Sequence, residues 1–210
     1  MEVVLRGIDY FEKGGFIMYV LLFCSVFVGS IAIERWRYFQ QADSGRTFAD
    51  SYCQALSNGL WQEGFELAKQ AKGELAGLIC RAMKRRGAES MKIHNFFDIE
   101  TGVILSKFRR RLYYLSVIVT MAPLLGLLGT IGGMISAFSV FDLKAGEPMA
   151  ITGGIGEALI ATATGLCVAI ISLAIHAYFS QRLEQIITDM EQCLSYLEEY
   201  SERGAIDEAS

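Results

Sequence analysis

Histidine is scarce in this 210-residue chain, and the two present, His94 and His176, lie far apart. Neither joins a spacing that would hold a metal ion. The five cysteines (Cys24, Cys53, Cys80, Cys167 and Cys193) are odd in number and form no CxxC or Cys/His pattern. They read as reduced, buried thiols. HExxH and GxSxG are missing, and with them the metalloprotease and serine-hydrolase signatures. Gly126-x-x-Gly129-x-x-Gly132 has no strand before it and no lysine, so it is not a phosphate loop. The expectation is no enzyme activity and no cofactor. Basic residues are not combined with aromatic platforms or a reading motif, so nucleic acid is not an expected partner.

Missing charge decides the class. Charged residues make up 20% of the chain and hydrophobic types 52%, too apolar for a soluble domain and too charged for a chain wholly in membrane. Charge is lacking from Gly14–Ile33, from Leu112–Phe141 and, but for Glu157, from Pro148–Gln181. Each run reaches the ~20 residues that a helix needs to cross a bilayer, and the last two exceed it by roughly 10. The fold class expected is an all-α membrane protein: three transmembrane helices, the second and third with long cytoplasmic extensions. Glu2, Arg6, Asp9, Glu12 and Lys13 precede the first run and no A-x-A-like site follows it, so that helix is expected to be an uncleaved signal-anchor.

Basic residues set the expected orientation. Of 19 Lys and Arg, 14 fall within 34–111 and only Lys144 lies between the second and third runs. Such residues favour the cytoplasmic side. Residues 1–13 and the short loop 142–147 are then periplasmic. Residues 34–111 form a cytoplasmic helical domain, and 182–210 a cytoplasmic C-terminal helix and tail.

Glu157 stands out against this background. A carboxylate at membrane depth costs ~2.5 kcal/mol or more, so it usually faces a bundle interior or a water path and handles ions or protons. Thr130 lies 11 residues from Phe141 and Glu157 nine from Pro148. At ~1.5 Å per residue the two sit at nearly the same depth, with Thr162 about 7–8 Å nearer the cytoplasm. Thr130, Thr162 and Thr164 either bond their own helix backbone, as membrane hydroxyls often do, or serve Glu157. Gly126, Gly129, Gly133 and Gly154 are expected to let helices pack closely, and the small-residue faces to drive oligomerisation.

The polar stretches read as helices. Phe48, Tyr52, Ala55 and Leu56 make one stripe, closed by a turn at Ser57-Asn58-Gly59. Trp61, Phe65 and Ala68 make a second, ending near Gly73, and Leu75, Leu78, Ile79, Ala82 and Met83 a third, ending at Gly87. From Ser90 the helical pattern continues into the second run. Leu183, Ile187, Met190, Leu194 and Leu197 form an a/d seam, followed by a tail, Ser201–Ser210, expected to fray.

Ala122-Pro123-Leu124-Leu125-Gly126-Leu127-Leu128-Gly129-Thr130, the stretch Gly154–Leu166 around Glu157, and Ile33-Glu34-Arg35 together resemble the ExbB/TolQ/MotA family of proton-channel subunits, ExbB and TolQ more than the longer, four-span MotA. Many relatives have a proline where this chain carries Ile171 and Ser172. The resemblance implies a homo-oligomeric ring, a pentamer, around a dimer of a single-span ExbD/TolR-like partner that supplies an aspartate. It implies a proton path lined at Thr130, Glu157 and Thr162. The function expected is that of a stator-like subunit in the bacterial inner membrane, coupling proton motive force to work through that partner and a TonB/TolA-like effector. The alternative is a non-conducting scaffold in which Glu157 is an ion-pair partner for a neighbour.

Overall fold

The computed structural model describes residues 15–84, 90–143 and 148–209, without the side chains of 90–91, 140–143, 148–152, 157 and 202–209. The expected N-terminal segment 1–13, the helix stop at Gly87 and residues 144–147 of the loop lie outside the described residues. Among the described residues six helices follow in order: α1 (Gly15–Ala42), α2 (Arg46–Ser57), α3 (Trp61–Gln70), α4 (Glu74–Met83), α5 (Ser90–Leu143) and α6 (Pro148–Ala209). No strand occurs among the described residues. α1, α5 and α6 are long and apolar enough to cross a membrane.

The chain divides into two compact units, one of residues 1–33 and 112–178, the other of 34–111 and 179–210. The first holds the uncharged runs. α1 lies antiparallel to α5: Ile17 approaches Gly129, and the Phe27 and Tyr114 rings meet edge to face at 6.5 Å. α5 and α6 pack through Ala122, Gly126 and Ala137 against Ala158, Ala161 and Gly165. Large apolar side chains point outward instead, among them Phe23, Leu124, Ile135, Leu159 and Ile170. That inversion suits a surface bathed in hydrocarbon, where apolar exposure carries no penalty.

The second unit has an ordinary apolar core. Phe39 meets Phe108 at 4.9 Å and Phe179 at 5.1 Å, and Tyr52, Leu78, Ile79, Phe97, Met190 and Leu197 are fully buried. All five residues of the third stripe are buried in α4. Gly73, before α4, has φ +112°, and a Cβ there would strike Ser44, whose Oγ accepts the Ala76 N–H at 3.1 Å. Only glycine fits that turn.

Three expectations change. In α3 the buried residues are Gly64 and Ala68, while Phe65 is half-buried. Gly64 lies against the Tyr52 ring and Leu56, which cover it. On α6 Leu183, Met190, Leu194 and Leu197 of the expected seam are buried, joined by Ile186 and Cys193, while Ile187 is only half-buried. The polar residue Asp189 is hidden on that face as well, so the buried side is not wholly apolar. Finally, α6 stays helical to Ala209 instead of fraying from Ser201. Gly204 is the only breaker there, and one interior glycine costs a helix only about 1 kcal/mol.

Candidate functional site

The site is built where α5 and α6 approach closely. A Cβ added to Gly126 would lie 3.0 Å from Thr162 Cα, one on Gly129 2.6 Å from Ala161 Cβ, and one on Gly133 3.0 Å from Ala158 Cβ. Gly154 is similarly closed by Ala137, and Gly165 by the Ala122 carbonyl at 2.6 Å. The two small-residue faces therefore close on each other within one chain. Gly126, Gly129, Gly133, Gly154 and Gly165 are thus filled from within the chain. Gly132, Gly153 and Gly156, by contrast, have open space where a Cβ would be.

This antiparallel pairing shifts the expected depths. Ala158, next to Glu157, meets Gly133, whereas Ala161 and Thr162 meet Gly129 and Gly126. Thr130 thus stands level with the turn after Glu157, between Glu157 and Thr162. The reason is that α5 runs past Phe141 to Leu143 while α6 starts at Pro148, so the count from the loop is uneven.

The hydroxyls differ in what they hold. Thr162 Oγ1 donates across the seam to the Gly126 carbonyl at 3.1 Å. Thr130 Oγ1 donates to the Leu127 carbonyl of its own helix at 2.6 Å, and Thr164 Oγ1 to Ile160 at 2.9 Å. Each oxygen keeps lone pairs and can still accept from a water or a protonated carboxyl group. Glu157 is on α6, and its side chain lies outside the described residues. Thr162, five residues on, is turned about 140° from position 157, whereas Thr164, seven on, returns to nearly the same side after two turns.

A polar clasp that the sequence reading passed over lies where the first span ends. Arg35 is buried, only 3% exposed, and donates to both Glu34 carboxylate oxygens, at 3.2 and 2.8 Å, and to the Lys107 carbonyl at 3.4 Å. Arg111 reaches the same carboxylate at 2.7 Å. The Arg35 hydrogen bond holds the Glu34 carboxyl below its usual range, with Arg111 adding to it against the effect of burial. The visible signal was a lone acid beside basic residues at the ends of two spans. Among the described residues no group of three or more His, Cys, Asp or Glu is placed to hold a metal ion.

Fold and seam together define an all-α membrane protein whose apolar helices pack through glycine, alanine and threonine. Residues 68–192 match the family model described as the MotA/TolQ/ExbB proton channel family, and the chain belongs to that family. It is 31% identical to the ExbB-like 1 biopolymer transport protein of Synechocystis, over 81% of this chain and 69% of that one. It is 26% identical to an ExbB homolog of Methanothermobacter thermautotrophicus, over 88% of this chain and 66% of that one. The Tol-Pal system protein TolQ of Haemophilus influenzae is 24% identical over 90% of both chains. This chain thus spans about two thirds of the length of the first two relatives. It is a proton-channel, energy-transduction subunit by family.

Proposed function

We propose that this chain forms a homo-oligomeric ring, a pentamer, around a single-span ExbD/TolR-like partner, and that Glu157 takes up and releases the protons whose flow drives the motor. The observation that carries the reading is the position of Glu157. It is the only formally charged residue of Pro148–Gln181, and it stands on α6 beside Ala158, where the helix backbones approach. An acid held at such depth is retained for a function or a partner. Thr130 and then Thr162 follow it along the seam and offer acceptor lone pairs to water on the proton path. The basic imbalance supports residues 34–111 and the C-terminal helix in the cytoplasm, with 1–13 and 142–147 in the periplasm. Work would then pass across the periplasm to a TonB/TolA-like effector.

The test is partner-dependent, proton-motive-force-dependent activity in cells, with expression and oligomer size controlled. Glu157→Gln keeps shape and hydrogen-bonding capacity but cannot change charge. It should assemble and be inactive, while Glu157→Asp retains part of the activity. Substantial activity in Glu157→Gln would remove the proton-carrier role and favour the scaffold, in which Glu157 only pairs with a neighbour.

A further inference from the structure

Within the second unit, Cys53 on α2 and Cys193 on α6 face each other with their sulfurs 3.9 Å apart, 140 residues apart in sequence. The two are not equivalent. Cys193 is fully buried, whereas Cys53 is half-exposed. The remaining cysteines, Cys24, Cys80 and Cys167, have no sulfur partner among the described hydrogen bonds. A disulfide needs its sulfurs at about 2.05 Å, so closure requires a relative shift of roughly 1.9 Å, within reach of side-chain rotation and a small helix adjustment.

We propose that Cys53 and Cys193 form a peroxide-responsive modification site, with Cys53 the attacking sulfur and Cys193 the resolving one. The Cys53 thiolate attacks one oxygen of a hydroperoxide. The O–O bond breaks, the leaving oxygen departs as hydroxide or alkoxide and takes up a proton, and Cys53 becomes a sulfenic acid. The Cys193 sulfur then attacks the Cys53 sulfur. An S–S bond forms, the S–O bond breaks, and the hydroxyl leaves as water with the Cys193 proton. Two thiols lose two electrons in total, and the peroxide gains them. The assignment of roles follows from access, since only Cys53 is open to solvent. The sulfur–sulfur contact lowers the Cys53 thiol and raises that of Cys193, which burial raises further, in keeping with those roles. An accessible sulfur beside a second thiol is the arrangement that favours reversible oxidation. The product ties α2 to α6 and closes a long loop, which stabilises the unit by restricting its unfolded chain.

The test uses the full chain, reduced and purified in detergent, with Cys24, Cys80 and Cys167 replaced by alanine. Hydrogen peroxide is added, free thiols are alkylated, and peptides are mapped by mass spectrometry. The expected result is loss of both alkylatable thiols, a Cys53–Cys193 linked peptide, and full reversal by dithiothreitol. Cys193→Ser, with Cys193→Ala as a second variant in case the serine perturbs the core, should stop at a sulfenic acid on Cys53 that dimedone captures. Cys53→Ser should leave Cys193 unreacted under the same treatment. The proposal is overturned if both thiols stay alkylatable in the folded protein, or if dimedone labels Cys193 in Cys53→Ser as readily as it labels Cys53 in Cys193→Ser.

Discussion

Thr162 on α6 donates its hydroxyl to the Gly126 carbonyl on α5, 3.1 Å away, where the Gly126 Cα hydrogens leave room for no side chain. The hydroxyl therefore joins two helices, about one and a half turns from Glu157. Interhelical bonds of this type contribute about 0.6 kcal/mol in membranes. Thr162→Ser should keep the bond and nearly all partner-dependent activity. Thr162→Ala loses it, but water can occupy the vacated space, so activity should fall only in part. Thr162→Val loses the bond and fills that space, so it should be the weakest of the three. Activity and thermal unfolding are measured together. Equal activity for Thr162→Ala and Thr162→Val would show that no water acts there.

The glycines separate into two groups with opposite expectations. Gly129→Leu and Gly165→Ala place atoms against Ala161 and against the Ala122 carbonyl, each 2.6 Å from the new Cβ. Overpacking of this kind typically costs 1–3 kcal/mol, so both should lower the unfolding temperature of the single chain in detergent. Gly132→Ala and Gly156→Ala meet nothing within 4 Å and should leave the fold unchanged or slightly more stable. If copies of the chain seat against each other over Gly156, Gly156→Leu should reduce the oligomer seen by native mass spectrometry without unfolding the protomer. Loss of fold in Gly132→Ala would contradict the open geometry.

Much of the architecture was legible because hydrophobic runs and charge gaps are one-dimensional signals. The three spans, the continuous helix from Ser90 and the α4 stripe all follow from them. Partner choice between helices is not one-dimensional. Gly129 and Gly133 announce close packing, but only the fold says that they meet Ala161 and Ala158 of the same chain. The Thr162 bond to Gly126 spans 36 residues and has no local signature. Asp189 hides on the buried face of α6, where burial holds its carboxyl above the usual range, with nearby Arg46 opposing. The stripe reading of apolar residues alone had no way to place it there.

His94 offers a pH test of the second unit. Its Nδ1 meets Glu198 of α6 at 2.6 Å and its Nε2 meets Asp98 of α5 at 3.1 Å. The Glu198 hydrogen bond and charge, then Asp98, raise the imidazole above its ordinary value. A raised folded value means that the imidazolium stabilises the fold fully below about pH 6.5, and that this contribution is lost as pH rises through the folded value. The side chain is exposed, so the effect should be small and should fade in high salt. NMR titration should give a His94 midpoint above that of a model peptide, and the wild type should lose more unfolding temperature than His94→Gln between about pH 6 and pH 8. Identical pH profiles for the two would show that the contacts carry no energy.

Tyr52 gives the sharpest stability prediction. Its ring is fully buried in α2, stacked with Phe48 at 6.1 Å and passed by Gly64 of α3. Its hydroxyl is buried with no hydrogen-bond partner among the described residues. Such a group bears its desolvation penalty without compensation, whereas the ring is held by packing alone. Tyr52→Phe keeps the ring and deletes the unpaired oxygen, leaving a void of only one atom. The unfolding free energy should rise by about 1 kcal/mol, or roughly 2–4 °C in Tm for a chain of this size. Tyr52→Ala removes the ring as well and should cost 3–5 kcal/mol, as large aromatic truncations do. A fall in Tm for Tyr52→Phe approaching that of Tyr52→Ala would show that the hydroxyl is bonded in solution and contributes to the fold.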